Sequence, residues 1–431
     1  MLISRDNVVH RIVLIALICP IIAAFFNSKI ISLLPDILSL LAFFFIFLQY
    51  RLKLNYRFYF VILLLISYSI STMIIYGKLA SLGSIAVICM SIMFFKILDH
   101  EKIQLEHLIK QISFIYIINI LFIYFEIIVK IIGYEFFIVE LIGVNNFDNS
   151  IVAKYKDYNS AFLLRKLGFN FGGANSMILG SQSASIITLF SLFWFLPAFK
   201  ADIFKGLKTN KIFFLMISLI LYPFVATMTS NIILVIFLFL LTFIFYNSRL
   251  FNIFTWIFLL IITLTSYEKI YELIMFRIKT TSDMEEYTYT FFKSFVIKNY
   301  LTLDWLSLLF GSGRNSLSGI SHSGDFALAR VLHESGFFLV TIAIGCLLLI
   351  FFKVITLIKM SKHKLFSVNP WYTFMTINFI ISFGFFVSLA HYSTAIEPGG
   401  RHLFALHLAL TLLSIKKIRN LNNSYRVKLS P

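Results

Sequence analysis

Residues 336–358 read GFFLVTIAIGCLLLIFFKVITLI, an apolar run in which Lys353 is the one charged residue. An α-helix of this length crosses the roughly 30 Å hydrocarbon core of a bilayer, because it rises about 1.5 Å per residue and satisfies its own backbone hydrogen bonds. The run is continuous, whereas the strands of a transmembrane barrel alternate in segments of about ten residues. Eleven further apolar stretches accompany it, at 12–26, 30–48, 58–75, 80–98, 112–132, 176–199, 212–228, 232–246, 250–267, 371–390 and 402–415. The expected fold is therefore all-α. It is a polytopic integral membrane protein with about 12 transmembrane helices in a single domain spanning 1–431.

Composition agrees. Of 431 residues, 59% are hydrophobic and 13% charged, too apolar a balance for a water-soluble fold. The net charge of +17 would point to nucleic acid in a soluble protein, but here the basic residues sit mostly at the ends of apolar runs, so no nucleic-acid partner is expected. Cys19, Cys89 and Cys346 all lie inside apolar runs, which gives neither a disulfide framework nor paired metal-ligand spacing. Arg5 and Arg11 before the first run imitate a signal peptide, yet no small-residue cleavage site follows and Pro20 interrupts the run, so it reads as the first span.

Basic residues set the orientation. Alternate connections hold Arg51, Lys53 and Arg57; Lys102 and Lys110; Lys200, Lys205, Lys208 and Lys211; Arg249; and Lys359, Lys362 and Lys364, and the C-terminal tail adds Lys416, Lys417 and Arg419. The positive-inside rule assigns that side, with both termini, to the cytoplasm. Two long polar loops, 133–175 and 268–335, then fall on the external side, the periplasm of a Gram-negative cell. The second contains a stretch, 287–300, in which Phe and Tyr alternate with polar residues as on a helix lying at the membrane surface.

Chemistry should concentrate in these loops. Residues 311–336 read GSGRNSLSGISHSGDFALARVLHESG. The Gly/Ser-rich first half lets backbone amides approach an anion, and Arg314 adds a planar guanidinium suited to phosphate. From Asp325 onward the pattern turns helical and runs on into the span at 336–358, placing Asp325 near a helix N-terminus with Arg330, His333 and Glu334 one to two turns later. Arg165 closes the first loop, and His391 and Arg401 bracket a short external connection. Positive charge on the external flank runs against orientation preference and fits contact with anionic headgroups. Asp99 and Glu101 form a superficial carboxylate pair on the opposite side, Asp283 and Glu285 have no accompanying histidine, and Glu126 with Lys130 reads as a pair on one helix face. No metal or cofactor is expected.

In this layout, and at 311–336, the chain resembles the O-antigen polymerase (Wzy-type) family, which is related to the O-antigen ligase superfamily. Ligases usually carry a His eleven residues before the glycine of a Glu-x-Gly ending; here Glu334-Ser335-Gly336 supplies the ending and Asp325 occupies the earlier position, with His322 nearby. That departure favours polymerase. Arg165 is followed by Gly172 and Gly173, and Arg314 by Gly324, spacings that differ from the Arg-to-Gly spacing of some polymerases.

The resemblance implies a metal-independent glycosyltransferase of the cell inner membrane. Its substrates would be undecaprenyl-pyrophosphate-linked oligosaccharides, joined in lipopolysaccharide O-antigen biosynthesis beside membrane lipids, a chain-length regulator and a flippase of the same pathway. It further implies Asp325, Glu334 or His322 as proton acceptor, and Arg165, Arg314, Arg330, Arg401 and His391 as pyrophosphate contacts. The alternatives are an O-antigen ligase or other lipid-linked glycan polymerase and, from another class, a lipid-linked oligosaccharide flippase or transporter.

Overall fold

The structure is a computed structural model. It describes residues 5–25, 83–100, 103–131, 183–195, 305–311, 327–361, 370–389 and 399–429, with the shorter pieces 34, 37–44, 48, 67–68, 70, 73–74, 218 and 395. Among the described residues all regular structure is helical: α1 (Arg5–Phe25), α2 (Gly83–Leu98), α3 (Leu105–Ile131), α4 (Ser183–Phe195), α5 (Trp305–Phe310), α6 (Ala327–Ser361), α7 (Pro370–Ser388) and α8 (Gly400–Leu429). Among the described residues, three helical stretches are long and apolar enough to cross a membrane: Leu105–Phe125 within α3, Val331–Leu357 within α6, and α7 itself. The first loop, 133–175, and the expected spans 232–246 and 250–267 lie outside the described residues.

Helix α8 lies at the centre. It packs most extensively against α2 and α7 and also meets α1 and α6, while α4 rests against α3 and α7. Every side chain from His402 to Thr411 is buried. A helix enclosed on all sides presents no face to lipid, so it can carry His402, His407, Thr411 and Ser414 among its leucines provided each finds a partner. Helix α3 is one-sided by contrast. Ile112, Ile115, Tyr116, Ile120, Ile123 and Ile127 are buried, whereas Phe114, Leu121, Phe125 and Ile128 form an exposed stripe at helical spacing. Helix α6 exposes Phe338, Ile342, Leu349 and Phe352 in the same way. Lipid tails are as apolar as leucine, so apolar faces alone do not choose partners in a bilayer. Shape, small residues and interhelical hydrogen bonds decide instead.

Aromatic rings supply much of the shape. Phe190 of α4 meets Phe385 of α7 at 4.5 Å between centroids, and Phe385 stacks on Phe404 of α8 at 5.4 Å. Phe351 of α6 sits edge-on to Phe379 and Phe383 of α7, fixing that pair of helices.

Helix α1 continues through Pro20, which lacks the N–H that would serve the carbonyl of Ala16. That same carbonyl faces Gly399, whose positive φ of 82° turns the chain into α8; a Cβ there would lie 3.1 Å from the Ala16 oxygen and from Leu17. The proline and the glycine thus let the start of α8 press on the middle of α1.

Polar groups gather at one end of the bundle. Asn7 of α1 bonds His107 and Gln111 of α3, the Gln111 amide donating to the Asn7 carbonyl oxygen at 2.8 Å. The short connection from α2 to α3 carries Asp99, which accepts from Lys416 of α8 at 2.6 Å. Asp99, the carboxylate that sequence alone leaves beside Glu101, is therefore engaged in an ion pair. Its neighbour, the His100 carbonyl, accepts from Lys417.

Candidate functional site

The segment 311–336 begins and ends at one point. Helix α5 closes with Gly311, whose φ of 81° allows its N–H to donate back to the Ser307 carbonyl at 2.8 Å, a glycine cap of the left-handed kind. At the other end α6 is interrupted at Gly336, with φ 76° and ψ 161°, a conformation open in practice to glycine alone. The helical run expected to pass straight into the span at 336–358 therefore breaks at its first residue. The reason is contact between the two glycines. A Cβ on Gly311 would meet the Glu334 carbonyl and lie 2.6 Å from the Gly336 nitrogen; a Cβ on Gly336 would meet the Leu309 carbonyl and the Gly311 nitrogen. Two backbones cross here with no room for a side chain on either.

Tyr68 completes the crossing. Its hydroxyl donates to the Phe310 carbonyl, at the end of α5, and lies 3.2 Å from the Ser335 carbonyl, immediately before the break in α6. A helix end and a helix break are the places where carbonyls fall short of intrahelical donors, and the single phenol proton is shared between the two. Beneath it Ser307, His333, Glu334 and Ser335 are buried. Outside it Trp305, Phe337 and Phe338 are exposed, and the Phe310 and Phe338 rings lie 6.2 Å apart. Of these, Trp305 has the amphipathic ring, an apolar body with one N–H, that favours a membrane–water boundary. The arrangement holds one buried carboxylate, Glu334, beside an imidazole, His333, at the root of a polar loop.

Of the residues singled out from sequence, Glu334 is placed at this root, 5% exposed. Arg330 belongs to the first turn of α6, its side chain outside the description. Arg401 is half-buried in the first turn of α8, beside His402, whose Nε2 lies 3.2 Å from the Ser39 hydroxyl. Asp325, His322, Arg314, Arg165 and His391 lie outside the described residues.

Sequence reasoning passed over a second polar site. His407 of α8 is fully buried between Tyr116 of α3 and Asn378 of α7, at 2.7 Å from each. The Asn378 amide nitrogen donates to the Phe374 carbonyl at 2.7 Å, so its carbonyl oxygen faces the imidazole. An oxygen there requires a proton on His407 Nδ1, which leaves Nε2 to accept from the Tyr116 hydroxyl. Trp194 of α4 closes the site, edge-on to His407, stacked on Tyr116 and donating to the Ser113 hydroxyl at 3.0 Å. Four helices thus meet at one satisfied, uncharged knot. Counting along α8 from His407 to Lys416 puts the knot roughly 14 Å from the polar end of the bundle, about half a bilayer core. The signal was present: an ionisable residue inside an apolar run warrants attention wherever it occurs.

Compared with known proteins, the chain matches no family model, no curated protein and no solved structure.

Proposed function

We propose that the chain is an O-antigen polymerase of the cell inner membrane, about a dozen helices with both termini cytoplasmic, working at the periplasmic face. The observation that supports this reading is the crossing of Gly311 and Gly336, which brings the two ends of the most polar, chemistry-bearing loop to one point beside a buried carboxylate at the edge of an apolar bundle. The donor is a glycan chain on undecaprenyl pyrophosphate; the acceptor is a new lipid-linked repeat unit. The acceptor sugar hydroxyl attacks the donor's anomeric carbon, a carboxylate takes its proton, and the bond to pyrophosphate breaks. Asp325 is the first choice for proton acceptor, with Glu334 and His322 in the same segment behind it. Arg165, Arg314 and Arg330 would stabilise the departing pyrophosphate, with Arg401 and His391 as further contacts.

The test is the surface-glycan ladder of a deletion strain and of Asp325→Asn. Single-repeat caps in the deletion strain, and in Asp325→Asn at normal protein level, are the expected result. A full ladder in Asp325→Asn removes it as base and moves the role to Glu334. The mid-depth knot around His407 favours a second reading, a lipid-linked oligosaccharide flippase, since transporters place function near the midplane. A deletion strain with no surface glycan at all would decide against a polymerase.

A further inference from the structure

The geometry points to Tyr68 as a positioning residue: through its hydroxyl it holds together the two ends of the loop that the polymerase reading makes catalytic, an inference that rests on that reading. Tyr68 belongs to a different apolar run, 58–75, and is 8% exposed. Its ring lies 6.5 Å from that of Phe310, while its hydroxyl serves the carbonyls of Phe310 and Ser335. Ser335 adjoins Glu334, and the Glu334 carbonyl is the group a Cβ on Gly311 would strike. The phenol, the two glycines and the buried Glu334 backbone are therefore one contact set. The glycines permit the close approach, but being without side chains they cannot hold it. The hydroxyl adds a side-chain link between the end of α5 and the break in α6, beside the Phe310–Phe338 ring contact. Removing that link should loosen the junction that adjoins Glu334. Small displacements of reacting groups cost large factors in rate, so an effect on glycan transfer should exceed any effect on folding.

The experiment uses the full chain in its own membranes, with Cys19→Ala, Cys89→Ala and Cys346→Ala as background. Phe310→Cys and Phe338→Cys, whose rings are 6.2 Å apart in the native chain, form a reporter pair for a short bis-maleimide. With Tyr68 present the pair should cross-link quickly. Tyr68→Phe, which keeps the ring and removes only the O–H, should slow cross-linking several-fold and reduce long glycan chains at least tenfold at an unchanged amount of protein. Covalent closure of the pair should then restore the ladder in Tyr68→Phe, a rescue that a purely structural role would not give. An unchanged cross-linking rate, slower cross-linking with an unchanged ladder, or loss of the Tyr68→Phe protein from the membrane would each overturn the proposal. A parent strain whose glycan equals that of the deletion strain defeats the polymerase reading instead, and the cross-linking rate still decides whether Tyr68 holds the junction.

Discussion

The loop root at Gly311 and Gly336 and the knot at His407 both join helices through a handful of atoms, and they do so in opposite ways. At the root two backbones touch directly, one phenol serves two carbonyls, and aromatic side chains are left exposed around the outside. At the knot four helices meet through the side chains of Tyr116, Trp194, Asn378 and His407, all fully buried, with the polar atoms of each hydrogen-bonded. The root depends on the absence of side chains and the knot on their identity. Substitutions that add atoms should therefore injure the root most, and substitutions that remove a donor or acceptor should injure the knot most.

The largest effect is expected at the root. Gly336→Val forces a β-branched residue into a positive-φ conformation and drives its Cβ into the Leu309 carbonyl and the Gly311 nitrogen. Backbone strain of this kind costs about 1–3 kcal/mol before the clash is counted, so a total above about 3 kcal/mol is expected. The variant should be lost from the membrane or aggregate on detergent extraction. A Gly336→Val protein as abundant and heat-resistant as the parent would mean that the two backbones do not cross as described.

Next comes the knot. His407→Leu fills the space but strands the Tyr116 hydroxyl and the Asn378 carbonyl oxygen away from water, a loss of about 2–3 kcal/mol. Tyr116→Phe strands one group and should cost less. Thermal unfolding of the purified protein for the two single variants and the double gives their coupling, expected at about 1–2 kcal/mol, toward the upper end for interhelical bonds in membranes. Strict additivity would show that Tyr116 and His407 do not share a bond.

These regions also differ in how far the sequence announces them. Helical class follows from apolar runs such as 112–132 and 336–358, because only helices satisfy backbone groups over such lengths without partners. The α6 break was harder to see. Gly336 stands in a helical pattern between Ser335 and Phe337, and nothing local says that its conformation answers to Gly311. Glu334 could be singled out as a carboxylate at the membrane boundary, but Tyr68 could not, since an aromatic in an apolar run is ordinary and its partners are backbone carbonyls far along the chain. His407 was legible as an ionisable residue in a span; its tautomer was not, because that depends on Asn378 from another helix.

Gly399 tests a milder version of the root. It too has positive φ, but its neighbours stand at 3.1 Å, and one is the flexible end of Leu17. Gly399→Ala should therefore cost about 1–2 kcal/mol, mostly for backbone conformation. The protein should accumulate normally and melt a few degrees early. An effect as large as that of Gly336→Val would make the contact between α1 and the start of α8 as unforgiving as the loop root.

The smallest effect should come from Asp99, at the polar end of the bundle. Lys416 reaches it at 2.6 Å, but the lysine side chain is 48% exposed, so water and salt compete for both charges. Exposed pairs of this kind contribute about 0–1 kcal/mol, and the charge is screened further as ionic strength rises. Asp99→Asn should lower thermal stability only slightly, with the difference shrinking at high salt. Helix α8 would keep its position, because its buried length is already fixed by His407, Phe404 and their partners on α3 and α7. If Asp99→Asn instead destabilised the protein as much as His407→Leu, the ion pair would be the stronger anchor of α8 and the knot would owe its place to it.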